Sequence, residues 1–156
     1  MSSNKKDLIY KYHRNLINYS FIVGIKEESL YSIKEKEIII PDILFCYPER
    51  DINFYRELID FVCPNGIHIY NENSFEGDIS YHPVILTNEK GERYYLYILK
   101  IIDIYNNLKI PIFIVLCSFV EDFDAFKEVL NEVLKVINIS SFNNNSTISY
   151  IIYYKF

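Results

Sequence analysis

Apolar positions fall along the chain in short runs that change period. Phe21-Ile22-Val23-Gly24-Ile25 is a compact β-branched run and predicts a strand. Ile38-Ile39-Ile40 leads to Pro41, and Asp42-Ile43-Leu44-Phe45-Cys46-Tyr47 predicts another strand, stopped by Pro48 because proline cannot donate to a ladder. Residues 26–37 are charged and read as a connection. From 52 to 63 the period becomes helical, with Phe54, Leu58, Phe61 and Val62 expected on one buried face and Asp51 as N-cap. Pro64-Asn65-Gly66 ends that helix, and 67–70 is expected to be a short extended piece.

The second half is more strongly patterned. Pro83-Val84-Ile85-Leu86-Thr87 and Arg93-Tyr94-Tyr95-Leu96-Tyr97-Ile98-Leu99 flank Asn88-Glu89-Lys90-Gly91 and predict a β-hairpin. His82 is read as the start of its first strand, and 103–109 as a linker. The unbroken apolar run at 110–117 fits a central strand buried on both faces. Ser118 and Glu121 have capping-box spacing, and Phe123, Phe126, Leu130, Val133, Leu134 and Ile137 form a helical stripe after them. Leu8, Ile9, Tyr12 and Leu16 are spaced for a short N-terminal helix. Residues 139–149 are rich in Ser and Asn and read as a linker, and 150–156 as an apolar piece like the start of a further strand. The expected organisation is an extension at 1–20, one lobe at 21–138 and a tail at 139–156.

Composition narrows the function classes. At 156 residues and 50% apolar, the chain suits one domain with a sizeable core and does not suit disorder. A net charge of −5 argues against nucleic acid as the main partner, and Lys5, Lys6, Lys11 and Arg14 form only a small basic patch. The 11-residue apolar run at 110–120 is too short for a membrane-spanning helix, and no secretory signal is legible. The expected location is therefore cytoplasmic. Fifteen tyrosines and eleven phenylalanines, with many Ile, Asn and Lys, match AT-rich codons and are weak support for an aromatic binding platform. Cys46, Cys63 and Cys117 lack metal or redox spacing and suit reduced thiols.

No pattern for covalent chemistry stands out. Cys63, His68 and His82 match no zinc spacing, and the four glycines make no phosphate loop. Glu49, Arg50 and Asp51 are adjacent polar residues at a turn, and Asp122 and Asp124 complement a helix start. No catalytic, cofactor-binding or metal-ligating residue is assigned, no cofactor is expected, and partner-binding residues stay unassigned. The order of elements implies an α/β (α+β) sandwich: a central, mostly antiparallel five-stranded sheet flanked by helices.

Four ordered segments then resemble the upstream DENN (uDENN) family. They are the strand at 42–48, Asp60-Phe61-Val62-Cys63-Pro64-Asn65-Gly66, the hairpin at 82–95, and the strand-to-helix passage at 110–130. Pro41, Pro64, Gly66, Gly91 and Ser118 carry the signature and are read as residues that shape the fold. Glu121 stands where the family has proline. The resemblance implies a longin-like module, the N-terminal lobe of proteins that bind Rab-type small GTPases and promote nucleotide exchange in vesicle trafficking. Peripheral membrane recruitment is expected with it. The family's larger C-terminal lobe is expected to be needed for full exchange activity. A stand-alone longin-type trafficking adaptor is the alternative. A small cytosolic enzyme is disfavoured by the lack of a polar constellation.

Overall fold

The computed structural model describes residues 16–49, 52–75 and 79–143. The predicted helix around Leu8, Ile9 and Tyr12, the basic patch at 5–14, Arg50, Asp51 and the piece at 150–156 lie outside the described residues.

In chain order the elements are β1 (Tyr19–Gly24), α1 (Glu27–Leu30), β2 (Ile38–Ile39), β3 (Asp42–Tyr47), α2 (Ile52–Val62), β4 (Ile67–His68), β5 (Tyr70–Asn71), β6 (Ser80–Thr87), β7 (Arg93–Tyr105), β8 (Leu108–Ser118) and α3 (Phe123–Asn143). The main sheet runs β3-β1-β8-β7-β6, with β5 also paired to β8. Every pairing is antiparallel. The expected five strands form this path, and β5 adds a short sixth. β2 and β4 make a separate two-stranded ribbon.

Both faces of the sheet are buried, which explains why β7 and β8 are apolar at nearly every position. One face presents Phe21, Val23, Leu96, Ile98, Phe113 and Val115 to Tyr55, Leu58, Ile59 and Val62 of α2 and to Ile67 and Ile69. The other presents Ile22, Tyr95, Tyr97, Leu99, Ile112, Ile114 and Leu116 to Phe126, Leu130 and Ile137 of α3. Each fully buried large side chain contributes about 1.5–3 kcal/mol. The two packed helices thus enclose the sheet, as the sandwich reading requires.

Several local expectations are corrected. Residues 103–109 are no linker. β7 runs through to Tyr105 and turns at Asn106 and Asn107, both at positive φ (49° and 63°), straight into β8. This is the geometry of a two-residue hairpin, and asparagine tolerates it. Pro111 falls between the part of β8 paired with β5, at Leu108 and Lys109, and the part paired with β1, from Phe113 onward. Its missing N–H therefore removes no ladder bond. The extended piece at 67–70 is two strands. Buried Ile69 lies at the step between the ribbon and the main sheet, exchanging backbone hydrogen bonds with Lys36 and Glu37.

Helix boundaries shift as well. Part of the connection at 26–37 forms α1. In α2 the buried set is Tyr55, Leu58, Ile59 and Val62, while Phe61 is 49% exposed. Tyr55 is drawn in by ring contacts with Phe21 and Phe54 and by its hydroxyl, which donates to the Pro48 carbonyl. The Ser118–Glu121 capping box does not form. α3 begins at Phe123, where the Asp122 carboxylate accepts the Ala125 N–H at 3.0 Å. α3 also continues through 139–143, residues read from their Ser/Asn content as linker.

Candidate interaction surface

The strand β6 is the outer strand on one side of the sheet, paired with β7 alone among the described residues. Its pairing starts at Ser80, so His82 and Pro83 sit within the strand and do not mark its beginning. An internal proline is tolerated only where its nitrogen faces away from the ladder. The hairpin shows that it does. Asn88 N–H bonds the Glu92 carbonyl at 3.0 Å, continuing the register that sets Thr87 opposite Arg93. Alternation then turns the backbone groups of Ser80, His82, Val84 and Leu86 toward β7. Those of Tyr81, Pro83, Ile85 and Thr87 point outward.

Beside β6 runs α3. Tyr81 hydroxyl donates to Asn131 Oδ1, and Lys127 Nζ lies 5.7 Å from the Tyr81 ring centre. Tyr81, Pro83, Tyr97, Phe123, Asp124 and Lys127 line a groove of about 160 Å³ between helix and strand. This is below the roughly 300–1,000 Å³ of typical small-molecule pockets. A second depression, about 310 Å³, lies between the loop before β2 and β5, walled by Glu35, Lys36, Glu37, His68 and Tyr70. The His68 and Tyr70 rings are near-parallel there, with centroids 6.4 Å apart.

The head of α3 is held by a polar cluster. Tyr97 hydroxyl donates to the Val120 carbonyl at 2.7 Å and accepts the Asp122 N–H at 3.0 Å. Tyr95 hydroxyl donates to Glu121 at 2.8 Å, and this carboxylate raises the Tyr95 pKa. Ser118, fully buried, donates to the Leu16 carbonyl at 2.6 Å and accepts the Val120 N–H at 3.0 Å. Ser118 and Glu121 therefore tie the segment before α3 to β1's lead-in and to β7, a role for Ser118 in shaping the fold.

The polar residues weighed from sequence do not converge. Cys63 is buried at the end of α2, and desolvation, aided by the Asp60 charge, pushes its thiol up to about 11. Burial alone pushes Cys117 up to about 12. His82 is lowered by burial and by the Lys100 charge. Cys63, His68 and His82 lie on different elements. Among the described residues no group of three or more His, Cys, Asp or Glu side chains is placed to hold a metal ion. No helix there is long and apolar enough to cross a membrane. Asp122 caps α3, in line with its expected place at a helix start. Missed from sequence was the position of β6 at the sheet's edge. The signal was Pro83 inside an alternating strand.

Residues 41–101 match the family model of the uDENN domain. Over these 61 of its 156 residues the chain is similar to the uDENN domain. The matched segment runs from the residue before β3 through α2, β4, β5 and β6 to Ile101 in β7. It thus contains both outer strands of the sheet, whereas β1, β8 and α3 lie outside it. No curated protein matches the chain.

Proposed function

We propose that this chain is the N-terminal lobe of a DENN-type guanine-nucleotide exchange factor, a regulator of Rab-type small GTPases in vesicle trafficking. The observation that carries the reading is the uDENN match over 41–101. The mechanism is differential binding: a factor that holds the nucleotide-free GTPase more tightly than the loaded form drives release by that difference. No covalent step by this chain is needed. A stable complex buries roughly 1,200–2,000 Å². A lobe of this size supplies that area more readily together with a second lobe, so exchange by this chain alone is weak. The chain acts in the cytoplasm and reaches membranes peripherally, through its partners.

Release of a fluorescent nucleotide from a panel of Rab proteins tests this, alongside capture of GDP-loaded and nucleotide-free forms. The expected result is preferential capture of a nucleotide-free Rab with slight acceleration of release. Equal capture of both forms without release would establish the adaptor reading instead.

A further inference from the structure

We propose that the N-terminal segment, residues 5–15, docks as a helix on an open shelf between α3 and β3 of the same chain. The two faces of the sheet are covered unequally. On the first, α2 packs across β3 and β1, where Tyr55 meets the Phe21 ring. On the second, α3 sits over the opposite half: Phe126 stacks on Tyr97 of β7, and Asn131 accepts the Tyr81 hydroxyl of β6. A helix that turns Lys127 and Asn131 toward β6 turns Val129 and Val136 the other way, toward β1 and β3. These valines are 36% and 45% exposed. On β3, half-buried Leu44 packs against the same cluster as Ile22. Tyr47, two residues on from the partner of Ile22, shares that face and is 67% exposed. The valines form a wall and Leu44 and Tyr47 a floor. Along α3 from Ala125 to Val136 the shelf is about 16 Å long.

Two observations name the occupant. The first is where the segment joins the lobe. The Leu16 carbonyl accepts the Ser118 hydroxyl at 2.6 Å, the Asn18 N–H donates to the Cys117 carbonyl at 2.8 Å, and Ser20 pairs with Tyr47. Residue 15 is thereby delivered beside the head of α3, at the mouth of the shelf. A helix over 5–15 spans about 16 Å, the length of the shelf. The second is complementarity. Leu8, Ile9, Tyr12 and Leu16 are spaced for one helical face, with Lys6, Lys11 and Arg14 off it. Between 121 and 137, Glu121, Asp122, Asp124, Glu128 and Glu132 outnumber Lys127 and Lys135. Lys127 is turned to Tyr81 and Lys135 is paired with Glu132 at 2.6 Å, so the rim of the shelf is acidic where the segment is basic. Residues 144–156 follow the far end of α3 and carry only Lys155, so they offer no such match. The proposal is independent of the GTPase reading.

Amide hydrogen exchange of the full chain, with sedimentation at each concentration, tests it. Residues 8–15 should exchange at least about tenfold more slowly than the same sequence as a free peptide, and added salt should erode that protection. Val129→Lys, at an exposed helix position, and Tyr12→Ser, outside the lobe, should each restore fast exchange at 8–15 while β7 and β8 amides stay slow. Fast exchange throughout 5–15 in the unaltered chain overturns the proposal. Protection that survives both variants puts the segment elsewhere and overturns it too. Protection that grows with concentration, in step with a dimer, gives the shelf to the segment of a second copy. Protection seen only with anionic vesicles gives the segment to a lipid surface. Either result overturns the docking within one chain.

Discussion

Tyr97 and Phe126 stack face to face, their ring centres 4.0 Å apart and their planes within 5°. The contact locks α3 onto β7, and Phe123 packs against the same tyrosine edge-on. Phe126 is 1% exposed, so Phe126→Ala should cost about 3–5 kcal/mol in urea unfolding. Tyr97→Phe keeps the stack and loses only the hydroxyl bridge from Val120 to Asp122, at about 1 kcal/mol. Equal losses in the two variants would mean that the ring contact does not anchor the helix.

The head of α3 separates two capping schemes. Asp122→Ala should cost about 1 kcal/mol, as loss of an N-cap does. Glu121→Gln retains an acceptor for the Tyr95 hydroxyl and should change the unfolding midpoint little. If the Glu121 variant were the more damaging, the capping box read from the sequence would be the true cap.

Two glycines at positive φ should respond unequally to alanine. Gly91, at φ +77° in the hairpin turn, has nothing within 4 Å of an added Cβ, so Gly91→Ala carries the backbone cost alone, about 1 kcal/mol. Gly66, at φ +76°, would place that carbon 3.0 Å from the Ile39 carbonyl oxygen and 2.9 Å from Ile38 Cγ2. Gly66→Ala should therefore be clearly the more destabilising, and thermal melts of the pair would show the gap.

Asp42 makes stability depend on pH. Burial alone would raise its pKa, but the Lys26 hydrogen bond, the Ile43 N–H and the Lys26 and Arg56 charges outweigh that and hold it below the ordinary value of 3.8. A carboxyl lowered in the folded state stabilises fully above the unfolded pKa, and the contribution disappears as pH falls through the folded one. The pair is partly exposed, so screening keeps this to less than about 1 kcal/mol. Asp42→Asn should remove that part of the acid-side slope in denaturation series run from neutral pH downward. An unchanged slope would place the ion pair's effect elsewhere.

The strands at 42–47 and 110–117, the helix near Leu58 and the hairpin were legible because period and turn chemistry are local properties of the chain. The same locality misled at Ser118 and Glu121. Their spacing fits a cap, yet buried Ser118 is claimed by the Leu16 carbonyl and Glu121 by Tyr95. In α2, Phe61 was as apolar a choice as Tyr55, and only the neighbouring rings and the Pro48 carbonyl select the tyrosine.

Alternation and composition by themselves determined an antiparallel sheet buried on both faces between helices, because a side chain's direction follows from backbone period. Strand order is different in kind: it depends on which distant segments meet. The apolar run already marked β8 as central, but only the tertiary structure decided that β1 and β7 flank it, that Ile69 crosses between two sheets, and that β6 stands at an edge. That last placement turns Pro83 from a presumed boundary into the mark of an outward-facing surface.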